Sequence, residues 1–177
     1  MPIRPTLELG DPLLRQPAQS IDHISSDVTQ HLLRDLWDTM ADLQARFPWC
    51  HALSAPVIGA GLRVIVLDAD GQRLTLINPS LVSWSRSQVL AFENCLTFSL
   101  IWGEVYRPTQ IVVAALDADG VQQQHELDGA IARTVMHELD HLDGLVWLDR
   151  EPDPTSICTT NEYMRMRMGL PPASAQI

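Results

Sequence analysis

Residues 129–142 read GAIARTVMHELDHL, and two patterns run through them at one period. Ile131, Val135, Leu139 and Leu142 recur at steps of four and three, which sets them on one apolar stripe of an α-helix. His137 and His141, four apart, frame the sequence H-E-x-x-H on the same predicted helix. Residues four apart share a helix face, so both imidazoles can point at one ion about 2 Å from each nitrogen. Glu138 lies near the edge of that face, where a carboxylate can exchange protons with a water held at the ion. Asp128 is placed to cap the helix start, and Gly144 follows the last periodic residue.

The rest of the chain supplies elements to pack around this helix. Val28, Leu32, Leu36, Met40 and Leu43, widened by Leu33 and Trp37, predict a helix from about Ser26 to Arg46. Ser25, Ser26 or Asp27 can cap it, and Phe47-Pro48 should stop it. Residues 63–69 and 73–77 read as strands turning at Asp70-Gly71, with Asn78-Pro79 ending the second. A strand is expected near 88–92, and a hairpin from 111–116 and 121–127 around Asp119-Gly120. Residues 1–24 read as an extended arm, 155–168 as a weaker third helix, and the tail LPPASAQI as loose. The expected fold is α+β, with antiparallel strands around a central metal-bearing helix and helices at each end. With no linker to split it, the chain is read as a single domain over residues 1–177.

Composition narrows the function classes. The chain is 46% hydrophobic and 19% charged, which suits a globular protein with a real core. Its formal net charge of -10 is opposite to that of most duplex-binding proteins, so no nucleic-acid partner is expected. No apolar run reaches the roughly 18 residues of a membrane span, and the N-terminus lacks the apolar stretch of a signal peptide. The expectation is a cytoplasmic protein with no membrane partner, whose three cysteines are free thiols or metal ligands.

Two histidines do not complete a metal site; a third ligand and an open position are wanted. A histidine three residues beyond Gly144 would serve, but that position is Trp147. Glu162 on a later helix is a second candidate, and Cys95 in Glu93-Asn94-Cys95-Leu96-Thr97 is a third.

Nearly end to end, the chain resembles the peptide deformylase family. That family carries G-x-G-L-A-A-x-Q, E-G-C-x-S and Q-H-E-x-D-H in this order. Here the corresponding segments are residues 50–57 (CHALSAPV), 93–97 (ENCLT) and 136–141 (MHELDH). The flanks match too: Asp11–Arg15, Arg63–Asp68, Arg107-Pro108 and His141–Arg150. The resemblance implies Cys95, His137 and His141 as metal ligands, and Glu138 as the general acid/base. It implies the backbone N–H of Leu96 as an oxyanion donor and Glu93 with Arg107 as a buried ion pair. It implies one divalent metal, typically Fe2+, with Ni2+, Co2+ or Zn2+ able to substitute. The implied reaction is hydrolysis of N-formylmethionyl peptides with release of formate.

The departures bear on the substrate. Val57 stands where the family has a glutamine that donates to the oxyanion, so formyl-methionine activity is expected to be reduced. Cys50 and Ala52 replace glycines, which should narrow the entrance. Asn94 or His51 is a candidate to replace the missing donor. Arg133 and Thr134 lie one turn before His137 and are candidate substrate contacts; the more favoured orientation for Arg133 is toward solvent. If Arg133 faced inward, it would favour an acidic substrate group. Two other readings stand beside the first: hydrolysis of a different N-formyl or small N-acyl compound, and a metal-binding pseudoenzyme without turnover. The sequence leaves the oligomeric state open.

Overall fold

Ser26 ends the N-terminal arm by turning its hydroxyl onto the Thr29 N–H at 3.2 Å, the N-cap contact that starts a helix. The resulting helix α1 spans Asp27–Arg46 in a computed structural model that describes residues 3–171 and 174. It buries Leu33, Leu36, Met40 and Leu43 and stops at Phe47, ahead of Pro48. Val28 was expected on this stripe, yet it is 73% exposed, and in the same turn Thr29 is the buried residue.

The strands form two antiparallel sheets. Strands β1 (Ala52–Ser54), β2 (Val64–Ala69) and β3 (Gln72–Trp84) join β6 (Gln110–Leu116) and β7 (Gln122–Asp128) in the order β1-β2-β3-β6-β7. Strands β4 (Gln88–Glu93), β5 (Ile101–Pro108) and β8 (Cys158–Thr159) form the second sheet. Helix α2 spans Gly129–Leu142, and a short α3 spans Thr160–Arg167. Strand β2 shows why the larger sheet has helices on both faces. Ile65 and Leu67 pack into the core that holds Ala132, Val135, Leu139 and Leu142 of α2. Their alternating neighbours Val64 and Val66 pack into the core of Leu33, Leu36, Met40 and Leu43 of α1. The ligand-bearing helix is thereby clamped against a sheet. Among the described residues, no helix is long and apolar enough to cross a membrane.

Several expected boundaries move. Strand β3 continues through Asn78-Pro79 to Trp84. Asn78 takes a left-handed φ of 51°, which asparagine tolerates, and the ladder shifts register between Ile77 and Ser80 to absorb it. Its side chain then clamps the arm, donating to Ile21 O and accepting from Ile21 N, both at 2.8 Å. The third helix is shorter than the predicted 155–168. Residues 154–156 form a 3-10 turn, and Cys158 pairs with Trp102 before the helix begins. Strands β1, β5 and β8 are not marked by local periodicity. Asp128 sits at the N-cap of α2 but makes no side-chain capping bond. Of the tail, residues 172–173 and 175–177 lie outside the described residues.

Gly144 is fixed by the arm. Its φ is 76°, and a Cβ there would stand 2.9 Å from the Arg15 carbonyl carbon. The arm crosses the end of α2 at this point, and Ala18 N–H donates to the Leu142 carbonyl at 2.8 Å, which also accepts from Arg63 Nη1 at 3.2 Å.

Candidate metal centre and its cleft

Strand β4 ends at Glu93, and the chain leaves it through extended Cys95 into a 3-10 turn over Leu96–Phe98. That path carries the Cys95 thiol over the face of α2. The ligand atoms of Cys95, His137 and His141 all lie within 4.8 Å of one another. Cys95 Sγ is 3.2 Å from His141 Nε2 and 3.0 Å from Thr97 Oγ1. The two imidazoles meet edge to face at 5.1 Å between centroids. One sulfur and two imidazole nitrogens, nearly closed off from solvent, suit a borderline or soft divalent ion and leave room for a further ligand.

The electrostatics fit that donor set. Burial pushes the Cys95 thiol up, but the His141 and His137 rings outweigh it and hold its pKa at about 5. Burial pulls His137 down, while Cys95 and Glu93 raise it well above the ordinary histidine value. Cys50 is different. Burial, then the Glu138 charge, pushes it up to about 12, so it remains an inert thiol. Glu138 is buried, and its Oε2 has no protein partner, as a carboxylate reserved for a bound molecule requires.

A buried ion network holds the first imidazole. Glu93 accepts from His137 Nδ1 at 3.1 Å, which turns the other ring nitrogen toward the thiol. Arg107 grips the same carboxylate with two bonds of 2.9 Å and reaches Asp140 Oδ2 at 2.8 Å. Arg150 pairs with Asp140 from the outer side. Burial would raise the Glu93 pKa, but the Arg107 and His137 hydrogen bonds hold it far below the usual carboxylate range. The expected Glu93–Arg107 pair is therefore present as a buried ion pair, and Asp140 and Arg150 extend it.

The cleft over this centre measures about 160 Å³, below the roughly 300–1,000 Å³ of typical small-molecule pockets, so it takes one end of a ligand. His51, Ala52, Val57, Asn94, Leu96, Arg133 and Thr134 all line it together with Glu138 and the Cys/His/His cluster. Leu96 opens the 3-10 turn, where the first N–H groups have no partner within the turn. Val57 lies buried in a 3-10 turn over Ala55–Ile58 and brings no donor. Two expectations are corrected. Arg133 does not point to solvent: its side chain is 12% exposed and bound to Glu93 and to strand carbonyls. The Asn94 amide does not replace the lost donor, because its NH2 is taken by Ser99 O at 3.2 Å and Ile101 O at 2.6 Å. Glu162 is outside the ligand cluster and pairs with Arg165 on α3.

An aromatic rim went unread in the sequence. Trp49, Phe92 and Trp102 line the cleft, and Tyr163 of α3 stacks on Trp102 at 3.8 Å and leans on Phe92 at 5.2 Å. These rings come from four separate segments, so no local spacing marks them.

An H-E-x-x-H helix clamped on an antiparallel sheet, with a thiol delivered from a second sheet, defines a metal-dependent hydrolase. The polypeptide deformylase family model matches residues 3–156, and the chain belongs to that family. It is 39% identical over 166 residues to a peptide deformylase of Thermomicrobium roseum, covering 89% of this chain and 90% of the relative. A peptide deformylase of Dictyoglomus thermophilum is 36% identical over 155 residues, covering 86% and 95%. Among solved structures, a Synechococcus elongatus peptide deformylase in complex with actinonin superposes with a TM-score of 0.80 at 28% identity, covering 97% of this chain and 89% of that one. A Legionella pneumophila peptide deformylase superposes with a TM-score of 0.78 at 29% identity, covering 96% and 100%.

Proposed function

We propose that the protein removes the N-formyl group from N-formylmethionyl peptides, with Cys95, His137 and His141 holding one divalent ion. The convergence of those three ligand atoms within 4.8 Å of one another carries this reading. Ferrous iron is the proposed native metal, with Ni2+, Co2+ or Zn2+ as substitutes. When bound, the ion supplies a Lewis acid that polarises the formyl carbonyl and acidifies a water.

The chain's own groups do the rest. Glu93 fixes the tautomer of His137 through Nδ1 at 3.1 Å. The Leu96 N–H donates to the carbonyl oxygen as negative charge builds on it. Glu138 accepts a proton at its free Oε2 and returns it to the amine that departs as formate is released. The aromatic rim and Val57 add apolar surface to the cleft, and water displaced from it by a bound substrate strengthens each of these interactions. We place the protein in the reducing cytoplasm, where a low-pKa thiol survives, acting as one domain over residues 1–177.

A second substrate is favoured by one observation. Val57 and Ala52 bring no side-chain donor to the cleft, which fits a smaller N-formyl or N-acyl compound with turnover below that of a glutamine-bearing site. Formate release from a formyl-Met peptide, measured anaerobically with Fe2+ or in air with Ni2+, tests the first reading, with Glu138→Ala as control. Activity lost in the control supports it. Metal binding without formate release from this peptide or other N-formyl compounds would leave a metal-binding protein without turnover.

A further inference from the structure

The two halves of the candidate centre arrive from distant parts of the chain. Cys95 follows β4, and His137 and His141 sit on α2, so something must fix the gap between strand and helix. Arg133 lies one helical turn before His137 and spans that gap. Its Nη1 donates to Glu93 Oε1 at 2.7 Å, to Val105 O at 2.9 Å and to Ala91 O at 3.3 Å. Its Nη2 donates to Val89 O at 2.6 Å. One guanidinium thus reaches both strands of the β4–β5 hairpin and the carboxylate at its end.

That carboxylate is the one that orients His137, through Glu93 Oε2 at 3.1 Å. We propose that Arg133 is a positioning residue for the metal: it locks α2 to the β4–β5 hairpin and holds Glu93 in the pose that aims His137. The proposal rests on the reading that Cys95, His137 and His141 bind the ion. Arg107 of β5 binds Glu93 and reaches Asp140, one turn beyond His137 on α2, so it ties the hairpin to the C-terminal half of the helix. Arg133 adds the tie from one turn before His137. Its guanidinium is committed to Glu93 and three carbonyls, so its role is to hold the frame and not to read an acidic substrate. Burial makes an arginine costly here, and four acceptors compensate it.

Cobalt(II) titration of the metal-free protein tests this without reference to activity. Wild type should show a thiolate-to-cobalt absorption band, and Arg133→Met should bind Co2+ about 10–100-fold more weakly, as loss of an outer-shell partner does. Far-UV circular dichroism checks that the variant is folded. Arg133→Gln keeps a donor for the carbonyls but no charge for Glu93, and it carries the same test if the methionine variant does not fold. Arg4→Met, which removes the exposed arginine paired with buried Asp35 of α1, is the control and should leave Co2+ affinity unchanged. Equal affinity in wild type and the Arg133 variants overturns the proposal and leaves the metal reading standing. An equal loss in Arg4→Met also overturns it, since the effect would then be general destabilisation. Failure of wild type to bind Co2+ overturns both.

Discussion

The two walls of the cleft differ in chemistry. The wall made by α2 and the end of β4 is crowded with charge: Glu93, Arg107, Arg133, Asp140 and Glu138 lie on or behind it, and most are buried. The wall made by residues 49–57 is nearly bare. It offers Trp49, Cys50, Ala52, Leu53 and Val57, with His51 exposed beside them. The first wall has every group needed to hold an ion and move a proton. At Val57, where the family has a glutamine, the second has no side-chain donor; Trp49 and His51 carry the N–H groups of this segment. The charged groups that the proposed chemistry uses therefore lie on the first wall, while the segment that departs from the family's first motif forms the second.

Breaking the charged wall should cost most. Cys95→Ala should abolish tight metal binding, read as metal content after dialysis, because two imidazoles alone do not complete the donor set. Glu138→Gln should keep the metal and lower formate release by about 10²–10⁴-fold, the usual worth of a general acid/base. Retained activity in that variant would move the proton transfer elsewhere. Arg107→Met should destabilise the fold by about 3–5 kcal/mol in urea unfolding, because it removes the buried cation shared by Glu93 and Asp140 and leaves them only Arg133, His137 and Arg150.

Sharpening the bare wall is a smaller change. Val57→Gln should raise kcat/KM on formyl-Met peptides by about 10²–10³-fold if the missing donor is what limits turnover. An unchanged rate would mean that this wall serves a different acyl compound. The gentlest test is spectroscopic. In metal-free protein, the Cys95 thiolate absorbance near 240 nm should vanish with a midpoint at about pH 5, not near 9.

Much of the charged wall was legible because its signals are local. His137 and His141 share a face by helix periodicity alone, and helix α2 has the predicted boundaries, 129–142. The apolar stripe of α1 was legible too, except Val28, which is exposed while the neighbouring Thr29 is buried. The orientation of Arg133 was not legible. Arginine is seldom buried, and only the nearby Glu93 and three strand carbonyls make its burial affordable. Asn94 was legible as a polar turn residue, but the carbonyls of Ser99 and Ile101 that take up its amide lie where the chain enters β5, which no periodicity marks. The aromatic rim and strands β1, β5 and β8 were silent for the same reason: each depends on partners far along the chain.

The sequence by itself determined two imidazole donors and the helix that presents them, because residue identity and a 3.6-residue period suffice for both. Tertiary structure alone decided that a thiol 42 residues upstream of His137 meets that helix, and that Glu93 and Arg133 hold it there. Contacts between distant segments depend on how sheets pair and pack. Short-range pattern carries no trace of that geometry, so the shape and polarity of the substrate wall appear only once the chain is folded.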